Sequence, residues 1–571
     1  MLFLGLLALI QCWFLPGFTL LSFAKSIGIK DKIILSPLFS IIVNYLIVVT
    51  LLIFQKFTFE NIIILILIEF ILILFFLKKN INLNSLSLSV VKKKINLQIN
   101  FRLLEVIFFI FFILFFYIAL NTIGEVVHLG DPVMMWNEWS KEIYNNNLPK
   151  SGDYPLAFPI LGAITYLFLG TYDIEFFSRA VCIIYPLWMF AIYLRLRILL
   201  PDSFVQLFFT FFFTLIFIFY IFRHYALYIG YVDPILFFIT FSLGYFYFLL
   251  KEKKINTIDI ILISMAFSTP AITKQTGILL TAILPFILLS IELYKKNKIN
   301  YYFYFKIIFL IFLFSATWYV YKIYGYFFEF SDNSNIYALA KQVDGSFYYK
   351  ILRGLDYAFG MFYPLVLVLL FLGLKNFYSK IILFYFVIPY FLIWSLFFGN
   401  DNRNLALALP AVAYVMSCGL VVFYDLIKEK ISRNYKNYIG VLVLMLVFVF
   451  SFHFVNEKRD KNYLIEKTLN KKKIRGDNIQ TNILIYENLK KNKNFNIYTD
   501  DYNFTFLPDT NNKIILISCS KIESQLNNSY LLYSKKLKGF CNKKILEFLS
   551  LHKNSYEIIF ENKDHIFYKF R

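Results

Sequence analysis

The feature that most constrains this chain is a series of apolar runs, each about 18–22 residues long, which is enough to cross a bilayer as a helix. Hydrophobic residues make up 59% of the 571 residues, and the mean hydropathy is +0.64. A water-soluble domain could not bury that much apolar surface. The chain is therefore predicted to be an α-helical polytopic membrane protein.

The runs predict about fourteen transmembrane spans. The first, Leu2–Phe23, has no basic start and no clear cleavage site, so it is predicted to be a retained span and not a signal peptide. The predicted spans are 2–24, 33–54, 62–77, 104–120, 178–199, 204–222, 229–250, 258–272, 278–294, 303–324, 357–374, 381–398, 404–424 and 438–455.

The charges of the loops predict an orientation. With the N-terminus outside, the predicted inner loops carry 23 Lys and Arg residues and the outer loops carry 9, as the positive-inside rule requires. The net charge of +21 is thereby assigned largely to cytoplasmic loops, and no nucleic-acid partner is predicted. The abundance of Ile, Lys, Asn and Phe indicates an AT-rich bacterial genome and hence a bacterial inner (cytoplasmic) membrane.

Three regions follow from these patterns. Residues 1–103 are predicted to be extra N-terminal transmembrane helices, and residues 104–455 a transmembrane core with an outer loop at 121–177. Residues 456–571 change sharply in composition and contain the strand-like runs NFNIYTD, KIILISCS, YEIIF and HIFYKF. This tail is predicted to be a small α+β domain on the extracytoplasmic side.

The outer loop is acidic and is the longest polar interruption in the first 170 residues. It ends in the apolar segment Tyr154–Gly170, which is short and contains Pro155 and Pro159. A full span there would invert every later loop and break the charge alternation. The segment is therefore predicted to be an interfacial or re-entrant helix on the outer leaflet.

Asp131 is the candidate catalytic residue of this loop. It precedes Pro132 and a helical stretch, a pattern that ordinary helix capping also explains. Just above the membrane, the carboxylate could accept a proton from an acceptor hydroxyl as a general base. The two interpretations are compatible, because a capped helix start would also orient the carboxylate.

The candidate substrate contacts of the loop are four residues that follow Asp131 in the chain: Trp136, Glu138, Lys141 and Tyr154. Glu138 and Lys141 are three residues apart on one helix, so a solvated ion pair is the alternative for both. Trp136 and its neighbour Trp139 could instead anchor the helix at the membrane interface.

Cationic side chains gather at the predicted outer ends of spans, where charge-assisted donors could surround a phosphate. Snorkelling to headgroups is the alternative, and Arg403 also has Asp401 nearby as a local ion-pair partner. The donor-phosphate candidates are Lys274, Arg403, Arg223 and His224, with Arg179 at the start of a span.

The chain has no motif for a bound cofactor or nucleotide. His128 and His224 lack metal-ligand spacing, and no Gly-rich phosphate loop is present. No metal site is predicted. Energy for a reaction would therefore have to arrive in the substrate, as in an activated lipid-linked sugar.

These residues resemble the GT-C superfamily of integral membrane glycosyltransferases, in particular the dolichyl- and polyprenyl-phosphate-sugar users related to protein mannosyltransferases and to bacterial lipid A and core-modifying enzymes. The resemblance covers roughly residues 104–424. It rests on Arg179 at one end of a span and on Arg195 and Arg197 at its other end. It rests also on the segments GDPVMMWNEWSKEIYNNNLP, DYPLAFPILGAITYLFLG, GYVDPILFFITFSLGYFYF, TKQTGILLTAILPFILL and NDNRNLALALPAVAYV.

The resemblance implies transfer of a hexosyl or pentosyl group, usually with inversion, from a polyprenyl-phosphate donor to a glycan, lipid or protein acceptor on the outer face. Asp131 would be the general base, and the cations would stabilise the phosphate leaving group. The loop 325–356 could cover the site or select the acceptor. Many relatives have a second acidic residue where this chain has Pro132, which argues against a metal-assisted mechanism, although a divalent metal stays an open alternative.

Three other functions remain open from the sequence. One is a sensor or scaffold with an outer ligand-binding tail, which would leave the ordered acidic loop unexplained. An O-antigen ligase or polymerase would use a diphosphate-linked oligosaccharide and would have its site in the 325–356 loop. A transporter or flippase should show internal repeats and membrane-embedded charges. The sequence offers one such acid, Asp233, and no repeat.

Overall fold

The computed structural model describes the greater part of the predicted transmembrane region and parts of the tail. The described residues are 1–80, 109, 112–113, 132–149, 154–172, 174–222, 232–251, 253, 255–294, 300–327, 345–398, 402–428, 496–499, 513–517, 522–526, 529–535, 542–562 and 565–570.

Within these ranges, nine helices are long and apolar enough to cross a membrane, or up to eleven if each of two bent pairs is one span. The predicted span 438–455 and nearly all of 104–120 lie outside the described residues, so the total of fourteen stays a prediction. The spanning helices are Ile29–Ile53, Phe59–Phe76, Phe176–Leu199, Pro201–Ile218, Asp233–Leu250, Gly277–Tyr294, Tyr301–Val320, Phe377–Phe397 and Leu409–Leu426; the bent pairs are Leu2–Trp13 with Leu15–Ser22 and Phe347–Phe359 with Tyr363–Gly373.

Several of these spans are built from more than one helical segment. Pro16, in the first turn of Leu15–Ser22, favours the bend of 41° in the first pair. Some of the remaining α-helical segments are parts or extensions of the spans given above, and others are new. They are Phe59–Asn80, Glu138–Tyr144, Ala157–Leu169, Phe176–Ala180, Ile184–Leu199, Phe204–Phe222, Thr257–Thr273, Tyr301–Phe327, Phe377–Ile382, Ile388–Ile393 and Leu409–Lys428. Three π-helical turns, Pro132–Asn137, Leu383–Val387 and Trp394–Phe398, and three 3₁₀ turns, Pro201–Ser203, Gly360–Phe362 and Asn402–Leu405, complete them.

One end of the helical bundle carries a polar clamp. Arg195 Nε donates to Asp31 Oδ1 at 2.7 Å, and the Tyr245 hydroxyl donates to the same oxygen at 2.7 Å. Ser26 Oγ donates to Asp259 Oδ1 at 2.5 Å. Four of the five residues lie in or beside loops that the charge pattern predicts to be cytoplasmic, and Tyr245 lies in the last third of Asp233–Leu250, which leads into one of them. The structure therefore brings these loops to one end of the bundle, and the assignment of that end to the cytoplasm stays a prediction.

The short helix Ala157–Leu169 is buried on every side. All thirteen of its residues are buried, and it packs against the first helix, against Ile29–Ile53 and against Glu138–Tyr144. A helix lying on the lipid interface would expose one face, so the interfacial alternative is wrong for this segment. Its length and burial fit the re-entrant alternative.

A second intramembrane acid corrects the expectation that Asp233 stands alone. Glu69 lies near the middle of the span Phe59–Phe76, and only 6% of it is exposed. Its side chain points toward the first helix, where Gln11 is its neighbour. The N-terminal helices therefore contain a buried carboxyl of their own.

The described part of the tail folds as a mixed five-stranded sheet with two short helices, which agrees with the predicted α+β class. The strand order is β2-β1-β3-β5-β4, with β1 parallel to β2 and β3. The strands are β1 Asn496–Thr499, β2 Lys513–Leu516, β3 Tyr530–Ser534, β4 Tyr556–Glu561 and β5 His565–Phe570; the helices are Ile522–Leu526 and Asn542–Leu551. Sequence patterns missed the central strand β3, because all five of its residues are buried and it shows no alternation.

Candidate active site

A buried ion pair lies at the end of the bundle opposite the polar clamp. Lys274 Nζ is 2.7 Å from Asp233 Oδ1, and the two side chains are 6% and 2% exposed. Asp233 begins one spanning helix, and Lys274 directly follows the end of the next helix, Thr257–Thr273. Because these two helices run antiparallel, their sequence-distant ends meet here.

The turn that holds Lys274 is closely packed. The Lys274 N–H donates to the Pro270 carbonyl, and the Gly277 N–H donates to the Lys274 carbonyl at 2.8 Å. A Cβ added at Gly277 would lie 2.0 Å from the Pro270 oxygen, so only glycine fits this approach. The turn thus fixes the backbone from which the Lys274 ammonium reaches Asp233.

Tyr390 connects this turn to the turn that carries Arg403. Its hydroxyl donates to the Asn404 carbonyl at 2.7 Å. The same side chain lies beside Thr276, two residues after Lys274, and within electrostatic range of Asp233. The Arg403 side chain is partly exposed. Tyr390 therefore contacts both the turn that carries Lys274 and the turn that carries Arg403.

A further cation, Arg179, lies in the span Phe176–Leu199. Its side chain is fully buried, near the start of this span. Cys182, one turn further on, lies within electrostatic range of both Arg179 and Asp233. Arg179 and the Lys274–Asp233 pair are therefore both buried on the side of the bundle where Cys182 lies.

The helix that follows Asp131 is held by a second buried polar network. Asn137 Nδ2 donates to Glu175 Oε1 at 2.7 Å, and the Tyr166 hydroxyl donates to Asn137 Oδ1. Lys141 Nζ lies 3.5 Å from the same Glu175 oxygen. Glu175 is fully buried and stands four residues before Arg179. One short segment therefore both anchors this helix and carries a cation of the site.

Close backbone packing reinforces that connection at Gly162. A Cβ added there would lie 2.5 Å from Ser140 Oγ and 2.8 Å from Ser178 Oγ. Ser140 belongs to the anchored helix, and Ser178 precedes Arg179. Glycine thus allows the re-entrant helix to lie between the two elements, which fixes the start of the anchored helix relative to Arg179.

Three of the four candidate substrate contacts of the loop make contacts within the protein. Trp136 and Trp139 are buried, and both rings pack against Tyr154 at centroid distances of 5.3 Å and 5.9 Å. The two tryptophans pack in the core with Tyr154, and a substrate contact of Trp136 or an interfacial anchor stays a prediction. Lys141 pairs with Glu175 rather than with Glu138, which is exposed.

Lys141→Met should destabilise the protein by about 3 kcal/mol, because removing one partner of a buried pair leaves the other charge uncompensated. Glu138→Gln, on the same helix but exposed, is the matched control and should change stability by no more than about 0.5 kcal/mol. Thermal unfolding of the two variants in detergent measures the difference. Equal midpoints would show that the Lys141–Glu175 contact contributes nothing.

The other predicted site residues cannot be placed. Asp131, Arg223 and His224 lie outside the described residues, although Pro132, next to Asp131, begins the π-helical turn that leads into the anchored helix. Among the residues that are described, no group of three His, Cys, Asp or Glu side chains could hold a metal ion.

Sequence reasoning missed Tyr390 and Glu175. Tyr390 lies in the apolar run FVIPYFLIW, where nothing distinguishes it from the many other aromatic residues. Glu175 had a usable signal, since it is an acid immediately before the apolar run that begins with Phe176. An acid at that position is expensive to bury and predicts a partner.

Comparisons with known proteins show the fold. No protein-family model matches the chain, and no curated protein matches it. Among solved structures, ArnT from Cupriavidus metallidurans matches with a TM-score of 0.50 in a crystal structure bound to undecaprenyl phosphate, at 10% sequence identity. The apo crystal structure of the same protein matches with a TM-score of 0.51 at 11% identity.

Each match covers 81% of this chain and 97% of the ArnT chain. The matches therefore show that this chain shares the fold of ArnT.

Proposed function

We propose that this protein is a membrane glycosyltransferase that moves a sugar from a polyprenyl-phosphate donor to an envelope glycan, lipid or protein acceptor. The observation that carries the proposal is the buried Lys274–Asp233 pair, 2.7 Å apart, at the end of the bundle opposite the polar clamp, in a fold shared with ArnT.

The cationic side chains are proposed to bind the phosphate group of the donor. A phosphate leaving group carries negative charge that grows as its bond to the sugar breaks, and fixed positive charges in a dry site stabilise it. Asp233 neutralises part of the charge of Lys274 and holds its ammonium in one place. Arg403 is partly exposed and is proposed to contact a ligand that enters the site. Undecaprenyl phosphate bound to ArnT is the kind of ligand that this arrangement suits.

Asp131 accounts for activation of the acceptor. As a general base it would take the proton of an acceptor hydroxyl while the sugar carbon leaves the phosphate. The Asn137–Glu175–Lys141 network supports this role, because it anchors the helix that follows Asp131 to the segment that carries Arg179. A fixed distance between base and phosphate is what such a transfer needs.

The acceptor is proposed to enter from the outer side of the membrane, where the charge pattern places this end of the bundle. The helix Phe347–Phe359, in the predicted covering loop, exposes Phe347, Tyr348 and Tyr349. Exposed aromatic rings at a membrane surface suit contact with a lipid or a sugar. The tail is proposed to assist acceptor recognition on the same side.

Arg403→Ala should weaken binding of a polyprenyl-phosphate donor by about 10- to 100-fold, the equivalent of one or two charge-assisted hydrogen bonds. The matched control is Arg197→Ala. Arg197 is also partly exposed, but it packs over the Phe204 ring, 4.8 Å from the centroid, at the opposite end of the bundle. Donor binding to the purified protein, measured by calorimetry, compares the two. Equal affinities for both variants would show that Arg403 only contacts headgroups.

A further inference from the structure

The N-terminal helices contain a polar cluster that the proposed transfer does not use. Gln11, Asn44 and Glu69 come from three different helices and are all buried. Gln11 Nε2 lies 3.4 Å from Asn44 Oδ1 and 3.5 Å from Glu69 Oε1, and Asn44 Nδ2 donates to the Gln11 backbone carbonyl at 3.0 Å. The cluster sits where the first helix ends, next to its bend.

Two buried oxygens in this cluster have no hydrogen-bond partner among the described residues, Glu69 Oε2 and Gln11 Oε1. Both are acceptors when the carboxyl is ionised, and a buried acceptor without a donor is costly. The neighbouring helix Leu15–Ser22 has no titratable residue. The titratable groups closest along the two other helices are bonded elsewhere, Cys12 to the Leu161 carbonyl and Tyr45 to Thr317.

We propose that Glu69 is a proton-binding site of the N-terminal helices. Its carboxyl takes a proton from water at Oε2, and the new O–H bond donates to Gln11 Oε1. One proton thereby satisfies both unpartnered oxygens and removes an uncompensated charge from an apolar span. No cation of the protein is needed, and among the described residues only Gln11 interacts with this carboxyl.

Loss of this proton would break contacts of the Gln11 side chain on the first helix. The carboxylate would then face the Gln11 carbonyl oxygen, so the amide would have to turn and give up its contact with Asn44. The next two residues tie this helix to the transferase core, since Cys12 Sγ donates to the Leu161 carbonyl and Trp13 Nε1 donates to the Val181 carbonyl at 3.1 Å. Val181 stands two residues after Arg179. The proton site is therefore coupled to the segment that carries a cation of the candidate active site.

Infrared difference spectroscopy of the full-length protein in lipid nanodiscs tests the site directly. Wild type minus Glu69→Gln should show the carbonyl stretch of a protonated carboxylic acid at neutral pH, and the band should persist when Na⁺ replaces choline in the buffer. In wild type alone, the band should fade as the pH is raised. Carboxylate bands at neutral pH would overturn the proposal, and so would loss of the protonated band on adding Na⁺, which would indicate a cation site.

Stability supplies a second readout that does not depend on transfer activity. If the folded protein holds a proton that the unfolded chain releases, the unfolding equilibrium constant rises by up to about tenfold for each pH unit above the ordinary range of Glu. The thermal midpoint of wild type should therefore fall with rising pH more steeply than that of Glu69→Gln, which keeps a neutral side chain of the same shape. Parallel curves for the two proteins would contradict the proposal, whether or not the protein is a transferase.

Discussion

Asp131→Asn should reduce turnover of a polyprenyl-phosphate sugar by about 10²- to 10⁴-fold, the usual contribution of a general base. The amide cannot accept the acceptor's proton, but it has the same shape and remains a good helix N-cap. The start of the following helix should therefore be unchanged, and donor affinity should be unchanged as well, because the proposed phosphate contacts lie on other elements.

Steady-state kinetics with the purified protein measures this loss. Glu138→Gln provides the control, since it removes an exposed carboxylate from the same helix and should keep near-normal turnover. Normal turnover in Asp131→Asn would remove the base assignment. The chemistry would then be sought in the 325–356 loop, as the ligase or polymerase alternative requires.

Replacing both members of the Lys274–Asp233 pair, compared with replacing one, should largely restore stability but should not restore donor binding. Lys274→Met or Asp233→Asn alone should cost about 3–5 kcal/mol of stability, because each leaves one buried charge without its partner. The double variant should recover much of that loss, since no charge is then left uncompensated. Donor binding should stay weak in the double variant, because the ammonium that is proposed to contact phosphate is missing.

A double-mutant cycle, with unfolding and donor binding measured on the same four proteins, separates the two roles of the pair. Recovery of both stability and donor affinity in the double variant would mean that Lys274 is only structural. Additive losses of stability would mean that the 2.7 Å contact is not an energetic pair.

The apolar runs predicted most of the fold that the structure describes. The runs are long and strong, so helices such as Ile29–Ile53 and Asp233–Leu250 were placed to within a few residues. The short segment Ala157–Leu169 was recognised as too short to span, but whether lipid or protein surrounds it depends on neighbours that local sequence does not reveal. The strand β3 was missed for a related reason, because a fully buried strand loses the alternation that marks an exposed one.

The sequence indicated which residues could belong to the candidate site, but it did not indicate which of them contact each other. Lys274 and Asp233 were each singled out, yet their pairing joins residues 41 positions apart and depends on how two helices pack. Lys141 was assigned to Glu138 from helical spacing, whereas the folded chain offers the buried Glu175. Local spacing predicts which residues share a helix face, and tertiary packing decides which of them meet.

The central claim, transfer from a lipid-linked donor with Asp131 as base, is tested most directly in cells. Mass spectrometry would compare envelope glycans and lipid-linked sugars in cells with wild-type protein, with no protein and with Asp131→Asn. We expect one sugar to disappear from an envelope glycan in both altered strains while a polyprenyl-phosphate sugar accumulates. Unchanged glycans and unchanged lipid-linked sugars in both strains would contradict the claim and would favour transport or binding.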